Sequence, residues 1–475
     1  MKERRTLSGN TKGVVRRLEA FLEIIAIALA YFVIFRHGYD DAGFHPFFGR
    51  GKIVLMGVYA LLSGLFIMNM DGFQFGNLRR FDLAMAQWIG LFATNFITYF
   101  QLCLIANKMV SVVPMLMLML IDVLLVVFFV FLYAASFRHL YKPYNMILVF
   151  GTDNAVTLKL KMDTRRDKYR INKLISVEKG YKAICEEIVK FDAVIINDVP
   201  AQIRNDLIKF CYKHNLRTYV VPKITDIIMR GGENITTFDT PLLLTKGFGI
   251  TITQRILKRS LDIFLCLIAM IIAAPVMAVI AIAIKLEDGG PVFYKQKRAT
   301  LGGKEFDILK FRSMIVDAEK GGFSIPATGK DPRITKVGNV IRACRVDELP
   351  QILNILKGDM SIVGPRPERL EHVQKYGEEV PEFMYRLKVK GGLTGYAQIY
   401  GKYNTTPYDK LRLDLMYIEN YSILLDIKLI LMTIRILFSK ESTEGFEKQQ
   451  ENEQLLQEML KEIREEEDTP AGQGV

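Results

Sequence analysis

Apolar and polar positions follow three different rhythms along the chain. Through 18–35, 53–70, 83–106 and 110–135 apolar side chains run almost unbroken, each stretch near the ~20 residues a helix needs to cross the hydrocarbon layer. They predict four transmembrane helices within 1–140. Between 141 and 248 the runs shorten to strand length at 146–150, 193–196 and 218–221, separated by helical stretches at 181–190 and 202–214. That alternation predicts a small parallel α/β unit. From 249 to 440 a third pattern begins with an uncharged apolar run at 263–284, interrupted by Pro275, and continues as a basic, Gly/Pro-punctuated α/β region. An interior proline removes a backbone donor and crowds the preceding turn. Basic residues flank both ends of the run, so a re-entrant helix-break-helix over 260–285 is expected, with a proline-kinked spanning helix as the alternative. Residues 409–438 read as helix; Asp426, Lys428 and Arg435 among apolar neighbours suit a helix at the interface or packed on the hairpin. Residues 441–475 form an acidic amphipathic tail.

The fold class is therefore a membrane protein, α plus α/β: a four-helix transmembrane bundle, a small Rossmann-like α/β domain, and an α/β catalytic domain with the re-entrant element. Gly151 follows the first predicted strand without a G-x-G-x-x-G, so the Rossmann-like domain lacks the dinucleotide fingerprint and reads as structural or regulatory. Glu23 and Asp122 lie inside apolar runs and are expected to face bundle neighbours.

Charge sharpens this picture. The chain carries 63 Lys+Arg against 51 Asp+Glu, and the acidic tail leaves the remainder still more basic. Basic residues alternating with apolar runs favour an anionic membrane surface and phosphorylated substrates over nucleic acid. Lys and Arg concentrate before the first run, in the second loop and after the fourth, which places both ends of the bundle, and the catalytic domain, on the cytoplasmic side of a plasma membrane. The five scattered cysteines show no C-x-x-C, which argues against zinc or a disulfide framework.

The chemistry concentrates between 310 and 367. Asp347 and Glu348 are adjacent carboxylates between Arg342, Arg345 and a proline, Pro350, that suits a helix start. Lys310, Arg312 and Arg366 are candidate phosphate donors, Arg366 being fixed between Pro365 and Pro367. Asp347 and Glu348 can hold Mg²⁺, which favours one or two carboxylates plus substrate phosphates, and a carboxylate can serve as a nucleophile toward phosphorus. Cys344 has no histidine beside it and is expected to be packing.

Pro291–Arg298, Lys310–Met314, Asp331–Thr335, Asp347–Gln351, Lys357–Pro367 and Leu393–Gln398 stand in one order, and in that order the chain resembles the bacterial sugar transferases, the monotopic polyprenyl-phosphate phosphoglycosyl transferases. The bundle and α/β domain ahead of them resemble the long-form members that initiate capsule or exopolysaccharide synthesis. The resemblance implies transfer of a sugar 1-phosphate from a UDP-sugar to undecaprenyl phosphate, with release of UMP. It implies Asp347 as nucleophile, Glu348 as metal or proton partner, Arg342 and Arg366 as phosphate ligands, and Mg²⁺ as cofactor. Where the family tends to have Pro-Gly before Leu-Thr-Gly, this chain has Gly391 and Gly392, and a looser turn is expected. The competing readings are a conventional membrane glycosyltransferase releasing UDP and a non-catalytic export scaffold. The bundle and the tail offer surfaces for a homo-oligomer.

Overall fold

The computed structural model describes residues 2–40, 51–76, 78–140, 143–152, 154–237, 239–245, 247, 249–316, 331–401 and 405–437. They fall into two compact units, one ending at Val221 and one spanning Pro222–Ile436. The predicted acidic tail lies outside the described residues.

In the first unit, α1 (Lys2–Phe35), α2 (Gly51–Asn69), α3 (Arg80–Ala106) and α4 (Val113–Leu140) contain the four apolar runs, and each holds a segment long and apolar enough to cross a membrane. Their inner faces bury Ile27, Tyr31, Tyr59, Ile67, Leu91 and Leu118, while Leu61, Phe92, Leu120 and Phe128 remain exposed. Helices apolar all round suit a lipid surround. Glu23 and Asp122 do face neighbours. Glu23 Oε2 accepts from Tyr133 OH at 2.7 Å and from Gln87 Nε2 at 3.2 Å; Asn95 Nδ2 donates to Asp122 Oδ2 at 2.6 Å.

The α/β part of this unit runs β1 (Tyr144–Phe150), α5 (Asn154–Asp163), β2 (Tyr169–Ser176), α6 (Tyr181–Ile188), β3 (Ala193–Asn197), α7 (Ala201–Lys213) and β4 (Arg217–Val220). The sheet order is β2-β1-β3-β4, parallel throughout. β1 and β3 are buried on both faces, hence their unbroken apolar sequence. β2 went unpredicted because Arg170, Asn172 and Lys173 dilute its apolar positions.

The second unit opens with α8 (Ile224–Arg230) and a hairpin of β5 (Glu233–Thr237) and β6 (Thr240–Leu244). The sequence reading placed these with the Rossmann-like domain. Ile224 and Ile227 instead share a core with Leu411, Leu415 and Ile418. There follow α9 (Ile252–Asp288), the antiparallel pair β7 (Phe293–Ala299) and β8 (Glu305–Phe311), α10 (Lys336–Ala343), α11 (Gln351–Lys357), β9 (Ser361–Val363), α12 (Leu370–Glu379), β10 (Gly392–Thr394), α13 (Tyr396–Tyr400), α14 (Pro407–Glu419) and α15 (Ile423–Leu437). β9 and β10 pair in parallel.

The expected helix-break-helix is drawn differently: α9 is one helix of 37 residues that continues through Pro275. A Thr251–Gln254 capping box starts it, and Gly289, at φ +69°, ends it. One face of α9 buries Cys266, Ala273, Ile280 and Ile284, packed with Phe306, Ile308, Ile355 and Phe311. The opposite face exposes Phe264, Ile271, Ile272, Val279 and Ile282. α15 packs on the start of α9 as expected, with Lys258 Nζ donating to Asp426 Oδ2 at 2.6 Å.

Candidate active site

Local backbone brings the two carboxylates to one place. Thr335 caps α10, accepting from Gly338 N at 2.9 Å, and α10 delivers Arg342 at its last turn. Arg345 then adopts φ +54°, a left-handed conformation uncommon outside glycine. It reverses the chain into a single 3₁₀ turn, Val346–Glu348, and Pro350 caps the start of α11. Asp347 and Glu348 thus stand on a tight turn between two helices, close to the helix start that the sequence suggested.

Two cations from distant segments meet Glu348. Lys310 Nζ, on β8, lies 2.6 Å from Oε1; Arg366 Nη2, three residues after β9, lies 2.9 Å from the same oxygen. Burial favours the neutral acid, but Arg366 and Lys310 outweigh it and hold Glu348 far below the usual carboxylate range. Lys310 is itself lowered, by burial, with Glu348 opposing. Asp347 differs. Burial raises it, Lys310 and Arg342 counteract, and Glu348 adds to the rise. The structure therefore gathers Asp347, Glu348, Lys310, Arg342 and Arg366, and gives the neighbouring acids opposite shifts.

Arg312 does not join them. Its guanidinium is buried, gripping both carboxylate oxygens of Asp288 and donating from Nε to Pro291 O at 2.7 Å. It ties the end of α9 to β8, so its basic charge has a structural use in place of the expected phosphate contact. Cys344, expected to be packing, is exposed, because it sits on the solvent side of the α10 terminus. Pro275 lies in α9, outside this cluster of charged groups.

The Gly391–Gly392 turn is not loose. Gly391 O accepts from Ser361 N at 2.9 Å, Gly392 N donates to Pro365 O at 2.9 Å, and Gly364 N donates to Thr394 O at 2.8 Å. A Cβ on Gly392 would meet Gly364 N at 2.1 Å, and one on Gly391 would meet Pro367 Cγ at 2.5 Å. The two backbones touch, so the glycines make the turn tight.

Several supporting residues escaped the sequence reading. Arg386 Nη2 donates to Arg366 O at 3.0 Å while Nε holds Asp414 at 2.9 Å; Arg298 Nη1 donates to Pro367 O at 3.2 Å. Glu368 accepts from Lys410 at 2.8 Å. These groups fix the loop carrying Arg366 from both sides. Arg298 closes the Pro291–Arg298 motif, but no local motif marks Arg386, Asp414, Glu368 or Lys410, since each partner lies tens of residues away.

Among the described residues no group of three or more His, Cys, Asp or Glu side chains gathers as a ready metal cage. The donor set nonetheless fits Mg²⁺ arriving with phosphate: both cations bond Glu348 through Oε1, leaving Oε2 outside these bonds, and Asp347 stands beside it.

A membrane-type apolar helix fused to a basic α/β unit, with paired carboxylates on a turn faced by Lys and Arg, defines a membrane-associated class of protein. Residues 253–440 match the family model described as bacterial sugar transferase. The chain is 50% identical over 131 residues to a putative undecaprenyl-phosphate N-acetylgalactosaminyl 1-phosphate transferase of Bacillus subtilis, covering 28% of this chain and 73% of that protein. It is 42% identical over 186 residues to the UDP-N-acetylgalactosamine-undecaprenyl-phosphate N-acetylgalactosaminephosphotransferase of Aeromonas hydrophila, covering 38% of this chain and 44% of that one. It is 41% identical over 211 residues to the UDP-glucose:undecaprenyl-phosphate glucose-1-phosphate transferase of Escherichia coli, covering 43% and 44%. The matched stretch spans less than half the length of the latter two. The chain belongs to the bacterial sugar transferase family, and in form it is a long member, with the bundle and α/β module ahead of the matched residues.

Proposed function

We propose that the protein transfers a sugar 1-phosphate from a UDP-sugar to undecaprenyl phosphate, releasing UMP and forming undecaprenyl-diphosphate-sugar, as the first membrane step of exopolysaccharide or capsule synthesis. The observation that carries this reading is the Lys310–Glu348–Arg366 cluster with Asp347 next to it and outside those ion pairs. Asp347 attacks the β-phosphorus, the bond to the UMP oxygen breaks, and the sugar phosphate remains on the aspartate as an acyl phosphate. The phosphate oxygen of undecaprenyl phosphate then attacks that phosphorus and frees Asp347. Arg342, Arg366 and Lys310 stabilise charge on the transferring group. Glu348 orients Lys310 and Arg366 and takes part in metal binding or proton transfer. Asp347 and Glu348 would hold Mg²⁺, which supplies charge neutralisation to the diphosphate.

The same reading seats α9 in the membrane as a re-entrant element. Both its ends are tied into one compact unit, by Arg259 to Ile355 O and Leu356 O and by Asp288 to Arg312. A helix carrying one end to the far side of a bilayer would not keep both. The catalytic unit then faces the cytoplasm with the basic loops of the bundle. Incubating the full chain with undecaprenyl phosphate, Mg²⁺ and a panel of UDP-sugars tests the reaction. UMP is the expected nucleotide; release of UDP refutes phosphosugar transfer.

A further inference from the structure

Resting on that transferase reading, we propose that α9 also aligns the active site, with Asp262 acting as a positioning residue for Arg366. β9 has only three residues and, among the described residues, pairs with a strand on one edge alone. Ser361 N bonds on the β10 side, to Gly391 O, so the next N–H along the strand, Ile362 N, points the other way, where a buried backbone donor needs an acceptor. α9 supplies it: Ile362 N donates to Asp262 Oδ1 at 3.0 Å, and Asp262 is 5% exposed. Next along the strand, Tyr417 OH of α14 lies 3.3 Å from Val363 O; it accepts from Lys258 Nζ of α9 at 3.1 Å and donates to Asp426 Oδ1 of α15 at 2.8 Å. Asp262 of α9 thus takes the place of a third strand at Ile362 N, with Tyr417 of α14 beside it. Only Gly364 and Pro365 separate this gripped strand from Arg366.

The far end of α9 holds the other half of the site. Glu287 accepts from Lys336 N at 2.7 Å at the start of α10, the helix that leads to Arg342 and Asp347. Asp288 holds Arg312, two residues after Lys310. The two sides close on Glu348 Oε1, Arg366 arriving from one grip and Lys310 from the other. At ~1.5 Å per residue the grips are about 38 Å apart along an unbent helix. The way α9 lies in lipid therefore sets how Arg366 meets the dyad.

The test uses full-length protein in lipid nanodiscs. Asp262→Ala is expected to lower kcat at least ~10-fold, with the KM for undecaprenyl phosphate little changed. It should also speed amide hydrogen exchange in the 361–366 segment. Asp262→Asn, which keeps an acceptor for Ile362 N, should retain most of kcat and the slow exchange. A folded Asp262→Ala protein with wild-type kcat or unchanged exchange overturns the proposal, as does an Asp262→Asn loss equal to that of Asp262→Ala. If Asp262→Ala does not fold, Tyr417→Phe, which removes the hydroxyl shared by Val363 O, Lys258 Nζ and Asp426 Oδ1, must show the same two effects in weaker form; an unaltered Tyr417→Phe protein overturns it. Wild-type protein that releases no UMP refutes the transferase reading instead, and the exchange comparison still decides whether α9 holds β9.

Discussion

Asp347 and Glu348 are chemically alike and adjacent, yet their surroundings divide the work between them. Glu348 holds two cations on one oxygen, whereas Asp347 answers to burial, longer-range charge and a backbone hydrogen bond. Asp347→Asn should therefore cut UMP release by at least ~10³-fold while leaving the fold intact; a variant with full turnover would remove Asp347 as nucleophile. The attacking carboxylate must be ionised, and burial raises its pKa while Lys310 and Arg342 lower it. Arg342→Gln removes one of those cations, so the acid limb of kcat/KM should move to higher pH, as a pH–rate profile would reveal. Stability carries the opposite sign at Glu348, whose folded pKa is depressed. Its contribution is complete above the unfolded value of ~4.3 and lost as pH falls through the folded one. Denaturant titrations between pH 6 and 3 should accordingly show a smaller acid loss in Glu348→Gln than in wild type. The dyad and its arginines were legible because they cluster in sequence. Arg312 misled because charge alone does not say which partner a guanidinium meets; Asp288 is 24 residues away. Arg386 and Asp414 left no local sign.

At the scale of elements, unbroken apolar runs gave the four bundle helices, β1 and β3, since a helix surrounded by lipid and a strand covered on both faces each require such runs. β2 and the boundary at Val221 were hidden, because charged edge positions and a core shared with α14 appear only when the chain is folded. Pro275 illustrates the limit of a local rule. A proline weakens a helix, but packing along one face carries α9 past it. The β9–β10 contact offers a sharper test, because its glycines are required by backbone approach. Gly392→Ala would force a methyl into Gly364 N, at a cost of ~1–3 kcal/mol or more. A lowered melting temperature with loss of UMP release is expected; an unshifted melt would mean the turn can open.

For the whole molecule, the decisive matter is which side of the bilayer each end of α9 occupies. Single cysteines placed at Arg255 and at Gly290, in a chain whose native cysteines are replaced, should both react with a membrane-impermeant maleimide from the cytoplasmic face of oriented vesicles. Labelling of one from each face would make α9 a spanning helix and refute the re-entrant reading. The bundle carries a consequence of its own. Glu23 Oε2 accepts from Gln87 and Tyr133, 64 and 110 residues later. While the chain is being synthesised, the first helix must wait with an acid that has no companion yet, and lone acids are costly in hydrocarbon. The nascent protein thus needs a hydrated or chaperoned berth at the translocon until its fourth helix emerges, and release into lipid should be a collective event.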